Sequence, residues 1–174
     1  MPTDSPSTSR ALQLAVVGAG QCDRQTAATA RQVGAEIGRA GAVLLCGGRS
    51  GVMAAAAEGA AAEGALTVGI LPGADRSESP PNPHIRLPLY TGMGQARNLV
   101  LVLSADAVIA IAGGWGTLSE IALACKHGRP VVLLDSWNLD VPADLDPNRL
   151  HQAKTPLQAV ETAIRLATAG GSKI

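Results

Sequence analysis

Apolar positions along this chain follow two alternating rhythms. Short, mostly apolar runs, the mark of strands buried on both faces, fall at Leu12–Val17, Ala42–Cys46, Ala65–Leu71, Asp106–Ile111 and Val131–Leu134. Between them lie stretches with the three-to-four-residue spacing of amphipathic helices, over about Gln25–Ala40, Ser50–Glu63, Gly94–Ser104 and Thr117–His127. Three of these helices are closed by glycine, at Gly41, Gly64 and Gly128, the residue that most easily takes the left-handed turn after a helix. A last helix starts with Thr155 as N-cap and Pro156 in its first turn, and carries an apolar stripe of Leu157, Val160, Ile164 and Ala167.

The Pro72–Pro88 segment holds five prolines and reads as a long loop, with brief pairing over His84–Leu87; a loop of this length is either a lid or binding loop or a plain surface excursion. The Asp135–Lys154 stretch reads as irregular, with a short edge strand near Leu150. Residues 1–10 are rich in Ser, Thr and Pro, lack an apolar run, and read as a disordered tail and not a signal peptide. No repeat or second domain is visible. The pattern predicts a single α/β domain over 11–170: a Rossmann-like, doubly wound, mainly parallel sheet with helices on both faces. Ligands of such sheets sit beyond the carboxyl ends of the strands, where the strand order reverses.

Composition narrows the function. Hydrophobic residues make up 47% of the chain, yet there is no Phe, one Tyr and two Trp, so Ala, Val, Leu and Ile must build the core. Fourteen basic residues balance fourteen acidic ones. A neutral, aromatic-poor chain lacks the basic surface and stacking platforms of a nucleic-acid binder. Cys22, Cys46 and Cys125 are scattered, and neither they nor His84, His127 and His151 show metal-ligand spacing, so no metal or resident cofactor is expected. The longest apolar run, Leu99–Ala112, is interrupted by Asp106 and too short to span a bilayer, which makes the cytoplasm the default compartment and membrane partners unexpected.

Three strands end in glycine: at Gly18-Ala19-Gly20, at Gly47-Gly48-Arg49-Ser50 and at Gly113-Gly114-Trp115-Gly116-Thr117. Glycine there lets a ligand approach the backbone and leaves amide groups free at a helix start, an arrangement that holds anions. The first turn fails as a dinucleotide fingerprint, because Asp23 stands where the third glycine belongs and the second strand ends without an acidic residue. The second places Arg49 beside a helix start, where it is either a ligand contact or a solvated side chain. In the third, Thr117-x-x-Glu120 also fits a capping box, and spacing alone favours that role for Glu120.

The segments Gly113–Glu120, Cys46–Met53, Gly69-Ile70-Leu71-Pro72-Gly73 and Ala96-Arg97-Asn98 resemble the LONELY GUY family of nucleotide phosphoribohydrolases, once labelled possible lysine decarboxylases. They are most similar to a small branch of that superfamily that includes proteins resembling molybdenum-cofactor carriers. Arg97 stands 23 residues before Glu120, the family spacing. The chain departs from the pattern at Ala112 (a proline in the family), Asn98 (a lysine) and Ser119 (a glutamate). The decarboxylase label would need a Schiff-base lysine, and Lys126, Lys154 and Lys173 are poorly placed for one.

The resemblance implies an enzyme that hydrolyses the N-glycosidic bond of a nucleoside 5′-monophosphate, releasing base and ribose 5-phosphate. Glu120 would stabilise the charge developing on the ribose or orient water, and Arg97 would neutralise the phosphate or position Glu120. Gly18, Gly20, Gly47, Gly48, Arg49, Ser50, Gly113, Gly114, Trp115, Gly116 and Thr117 would form the ligand cradle. The alternative is a binding protein that stores a phosphate-bearing ligand, such as the pterin-type molybdenum cofactor, without chemistry. The resemblance also implies a homodimer with sites near its interface.

Overall fold

The computed structural model describes residues 10–141 and 149–170. Seven strands form one parallel sheet: β1 (Gln13–Gly18), β2 (Val43–Cys46), β3 (Thr67–Leu71), β4 (Leu87–Tyr90), β5 (Ala107–Ile111), β6 (Val131–Leu134) and β7 (Leu150–Ala153). Their spatial order is β4-β3-β2-β1-β5-β6-β7. The order therefore reverses between β1 and β5, and the Rossmann-like expectation holds.

Alternation along the strands builds two cores. Leu14, Val16, Leu44, Cys46, Ile109, Ile111, Val132 and Leu134 face α1 (Arg24–Arg39), α2 (Val52–Ala62) and α5 (Pro156–Gly170). Ala15, Val17, Leu45, Val68, Ile70, Val108, Ala110, Val131 and Leu133 face α3 (Arg97–Ser104) and α4 (Trp115–Lys126). The scarcity of aromatic side chains has a packing counterpart. Gly34 of α1 lies against the Ala56 carbonyl and Gly59 of α2 against the Arg31 carbonyl, so a β-carbon at either would run into backbone. Arg31–Glu58 (2.8 Å) and Arg39–Glu63 (2.8 Å) bridge the same two helices at the surface.

Several boundaries differ from the pattern-based ones for local reasons. Helix α4 begins at Trp115 and not Thr117: Gly114 is its N-cap, and the first intrahelical bond runs from the Leu118 amide to the Gly114 carbonyl (3.0 Å). The capping box is therefore absent, because Thr117 and Glu120 lie inside the helix. Helix α2 starts at Val52, since Ser50 is drawn away by donating its hydroxyl to the Gly20 carbonyl (2.8 Å). The run over 94–104 splits into a short 3-10 turn, Gly94–Ala96, and α3. Pairing in the proline-rich segment falls on Leu87–Tyr90 and not His84–Leu87; the His84 carbonyl instead accepts from Thr67 (2.5 Å). Leu157 is exposed, and Ala159, Val160 and Ala163 bury the inner face of α5. Thr155 does cap that helix, accepting from the Gln158 amide (3.2 Å).

The tail expected over 1–10 lies, apart from Arg10, outside the described residues. Arg10 forks onto Asp106, with Nη1–Oδ2 at 2.8 Å and Nη2–Oδ1 at 2.5 Å. Cys22, Cys46 and Cys125 are free thiols. Among the described residues no group of three or more His, Cys, Asp or Glu is placed to hold a metal, and no helix is long and apolar enough to cross a membrane.

Candidate functional site

The carboxyl ends of β1, β2 and β5 open into a cavity of about 280 Å³ at the switch point. Gly18, Ala19 and Gly20 line it from the first turn, Gly47 from the second, and Gly114, Gly116 and Thr117 from the third. Met53 of α2 closes one side, and Gln95, Arg97 and Asn98 come from the start of α3. Glu120 comes from the second turn of α4. A β-carbon built on Gly20, Gly114 or Gly116 would meet nothing within 4 Å, so the space over these three is open.

Two helix N-termini converge here. The amides of Trp115, Gly116 and Thr117 precede the first intrahelical bond of α4 and have no partner within the helix. Arg97 is the first residue of α3, where a cation adds to the positive end of the helix dipole. Both features favour an anion.

Arg97 and Glu120 form the polar wall. Their side chains are 12% and 9% exposed, and Arg97 Nη1 lies 3.5 Å from Glu120 Oε1. The contact is an ion pair without a hydrogen bond: Nη1 is buried and unpartnered. The Asn98 side-chain oxygen on the same wall is also buried and unpartnered. Burial pushes the Glu120 carboxyl up to about 7, outweighing the opposing pull of Arg97. Burial likewise lowers Arg97 from its ordinary value, against Glu120, though a guanidinium stays charged. Burial drives the Cys46 thiol up to about 11, so it is no nucleophile.

Gly47 makes room for this arrangement. A β-carbon there would fall 2.6 and 2.7 Å from the two terminal nitrogens of Arg97 and 2.8 Å from Met53 Sδ.

The cavity thus gathers Gly18, Gly20, Gly47, Arg97, Gly114, Gly116, Thr117 and Glu120, all singled out in the sequence. It does not gather Gly48, Arg49, Ser50, Gly113 or Trp115. Arg49 and Ser50 are exposed; Ser50 ties the second turn to the first, and the Arg49 carbonyl accepts from Asn82 (2.9 Å). Gly48 has φ +72° and packs under Leu71. Gly113, at φ +109°, tucks beneath the Thr117 side chain. Trp115 is 80% exposed, its ring centroid 5.7 Å from that of Trp137. Lys126 and Lys154 are exposed and line no part of the cavity, and Lys173 lies outside the described residues. Ala19, Met53, Gln95 and Asn98 line the cavity without having been candidates, and Asn98 is the one with a readable signal. Its signal was periodicity: Asn98, Leu101 and Val102 share the buried face of α3, which puts an amide where an apolar residue belongs.

This architecture defines a Rossmann-like α/β domain with its cavity at the switch point. The chain belongs to the SLOG cluster4 family, which it matches over residues 11–164. It is 41% identical over 153 residues to an uncharacterized protein of Archaeoglobus fulgidus, covering 88% of this chain and 95% of the relative. Two solved structures are similar along nearly their whole length. The molybdenum cofactor binding protein of Rippkaea orientalis is 38% identical with a TM-score of 0.81, covering 95% of this chain and 100% of that one. The molybdenum cofactor carrier protein of Chlamydomonas reinhardtii is 32% identical with a TM-score of 0.78, covering 91% and 99%.

Proposed function

We propose that this chain binds a phosphate-bearing, pterin-type ligand such as molybdenum cofactor at the switch-point cavity and carries it without altering it. One observation carries the reading: Arg97 presents a buried, unpartnered guanidinium nitrogen to a cavity floored by open glycines and helix-start amides. A buried donor without an acceptor costs about 1–3 kcal/mol, more when charged, and a phosphate oxygen removes that cost. The two cofactor-binding relatives support the pterin, and the absence of the lysine and of the first glutamate of the LONELY GUY pattern, here Asn98 and Ser119, supports storage over turnover.

A second reading, hydrolysis of a nucleoside 5′-monophosphate as in the LONELY GUY family, is favoured by one feature. A carboxyl near 7 lies in the range of a general acid or base, and Glu120 sits on the cavity wall. Water would add to the anomeric carbon, and the C–N bond electrons would leave with the base, which takes up a proton.

One experiment separates the two. The protein is incubated with molybdenum cofactor and, separately, with a panel of nucleoside monophosphates. The carrier reading expects the cofactor to co-elute with the protein and no free base to form. Steady base release above a no-protein blank overturns it in favour of hydrolysis.

A further inference from the structure

A second cavity, about 330 Å³, lies at the carboxyl ends of β5 and β6, lined by Ala112, Gly113, Asp135, Ser136 and Trp137. The glycine turn separates it from the phosphate-side cavity: Gly113 faces this one and Gly114 the other, so one residue step of about 3.8 Å of backbone joins the two walls.

The backbone here is turned against its preference. Among the described residues, the two non-glycine residues with positive φ are Ala112 (+48°) and Asp135 (+49°). They follow Ile111 and Leu134, which are partners in the β5–β6 register. The two distortions therefore stand side by side, tied by the Ser136 hydroxyl donating to the Ala112 carbonyl (2.7 Å). A left-handed alanine costs ~1 kcal/mol or more, and such strain collects at ligand sites. A proline, which stands here in the LONELY GUY pattern that this segment resembles, could not adopt φ +48°.

The walls suit a flat heterocycle. Trp137 is part of the lining; Trp115 stands outside it, ring to ring with Trp137 at 5.7 Å with planes 40° apart, and is 80% exposed in a chain with only three aromatic residues. Asp135 is exposed at the cavity and offers a carboxylate. The Trp137 indole nitrogen is out of water and has no acceptor.

We propose that this cleft seats the ring of the same ligand whose phosphate lies across the glycine turn, and that it selects a 2-amino-4-oxo-pyrimidine edge, the edge shared by pterins and guanine. That edge offers adjacent N–H and NH₂ donors to Asp135, while the exposed Trp115 beside the cleft supplies a stacking face. The inference rests on the phosphate reading above.

The test is calorimetric titration of the full chain with ribose 5-phosphate, phosphorylated hydroxymethylpterin, guanosine monophosphate and adenosine monophosphate. The wild type should bind the pterin phosphate at least ~10-fold more tightly than ribose 5-phosphate, the scale of one charge-assisted hydrogen bond. Asp135→Asn keeps a residue that tolerates the left-handed backbone. It should erase most of that margin and leave ribose 5-phosphate unchanged, as should Trp115→Ala through lost stacking. A guanosine margin equal to that of the pterin supports recognition of the shared edge; a margin for the pterin alone supports the same cleft reading ring shape as well. The inference is overturned if the wild type shows no margin, if adenosine monophosphate gains as much as the pterin, or if both variants keep the margin. If ribose 5-phosphate does not bind at all, the phosphate reading fails and the cleft assignment falls with it.

Discussion

Arg97 and Glu120 face each other at 3.5 Å, each nearly shut off from water, and the pair makes no hydrogen bond. A fork between the two would have satisfied both partners and held Glu120 ionised. Burial outweighs the pull of Arg97 and sets the carboxyl near 7, and a guanidinium nitrogen is left unclaimed. The site therefore holds a charge in reserve for a ligand, and its behaviour with pH follows.

Glu120 should make stability fall as pH rises through neutrality. Its folded value, about 7, lies above its ordinary 4.5. The folded state therefore favours the neutral carboxyl, whose contribution is complete below about 4.5 and lost as pH climbs through about 7. Between about pH 5 and 8 this amounts to ~2–3 kcal/mol, at about 1.4 kcal/mol per pH unit. Urea unfolding of the wild type and Glu120→Gln at both pH values reads the difference in slope. The absolute level does not serve, because the variant also strips Arg97 of its countercharge. Parallel pH dependences would show that Glu120 does not titrate in this range.

Phosphate binding should draw in a proton. An anion on Arg97 competes with Glu120 for the guanidinium and adds negative charge nearby, and both effects raise the carboxyl further. With its value about 7, Glu120 is roughly half protonated at neutral pH, so binding should take up a sizeable fraction of a proton. The apparent binding enthalpy of ribose 5-phosphate, measured in two phosphate-free buffers of different ionisation enthalpy, should report more proton uptake for the wild type than for Glu120→Gln, where only the phosphate's own ionisation at about pH 6 remains. Equal proton exchange by the two proteins would dismiss the coupling.

Much of this arrangement was legible in the sequence. The unbroken run Val131–Leu134 is β6 to the residue, because a strand buried on both faces leaves no polar position to blur its ends. Gly41, Gly64 and Gly128 follow their helices at φ +69°, +79° and +75°, as a left-handed stop requires. Arg97 and Glu120 were legible through spacing and resemblance. Local chemistry misled where tertiary contacts decided the outcome. Thr117-x-x-Glu120 satisfies a capping pattern, yet the backbone turns at Gly113, the helix opens two residues early, and Glu120 is left to face Arg97. Asp23, the residue that spoils the dinucleotide fingerprint, is the N-cap of α1, accepting from the Thr26 amide (2.7 Å). The second cavity had no sequence signal, since nothing in the letters marks Ala112 and Asp135 as left-handed.

Arg97→Ala should weaken ribose 5-phosphate by ~1.5–3 kcal/mol, the scale of a hydrogen bond to a charged group. Removing the guanidinium also removes the one influence holding Glu120 down, so the carboxyl should move above 7 and the pH slope of stability should shift upward with it. Calorimetry and the same unfolding series read both effects. Unchanged affinity would return Arg97 to a purely structural role beside Glu120.

Gly47→Ala tests whether the position of Arg97, and not merely its presence, makes the site. Gly47 does not have a positive φ, so alanine is allowed in its backbone conformation. The three atoms nearest the added β-carbon would be the tips of two flexible side chains, Arg97 and Met53. The fold should therefore survive with a loss of roughly 1 kcal/mol, a drop in Tm of about 2–4 °C for a domain of this size. The displaced guanidinium should no longer reach the anion, and ribose 5-phosphate affinity should fall ~10-fold. In an Arg97→Ala background the same substitution should have almost no further effect on binding, because the route through the guanidinium is gone. Additive losses in the double variant would show that Gly47 serves the ligand directly, through its own backbone, and that Arg97 is not the group it makes room for.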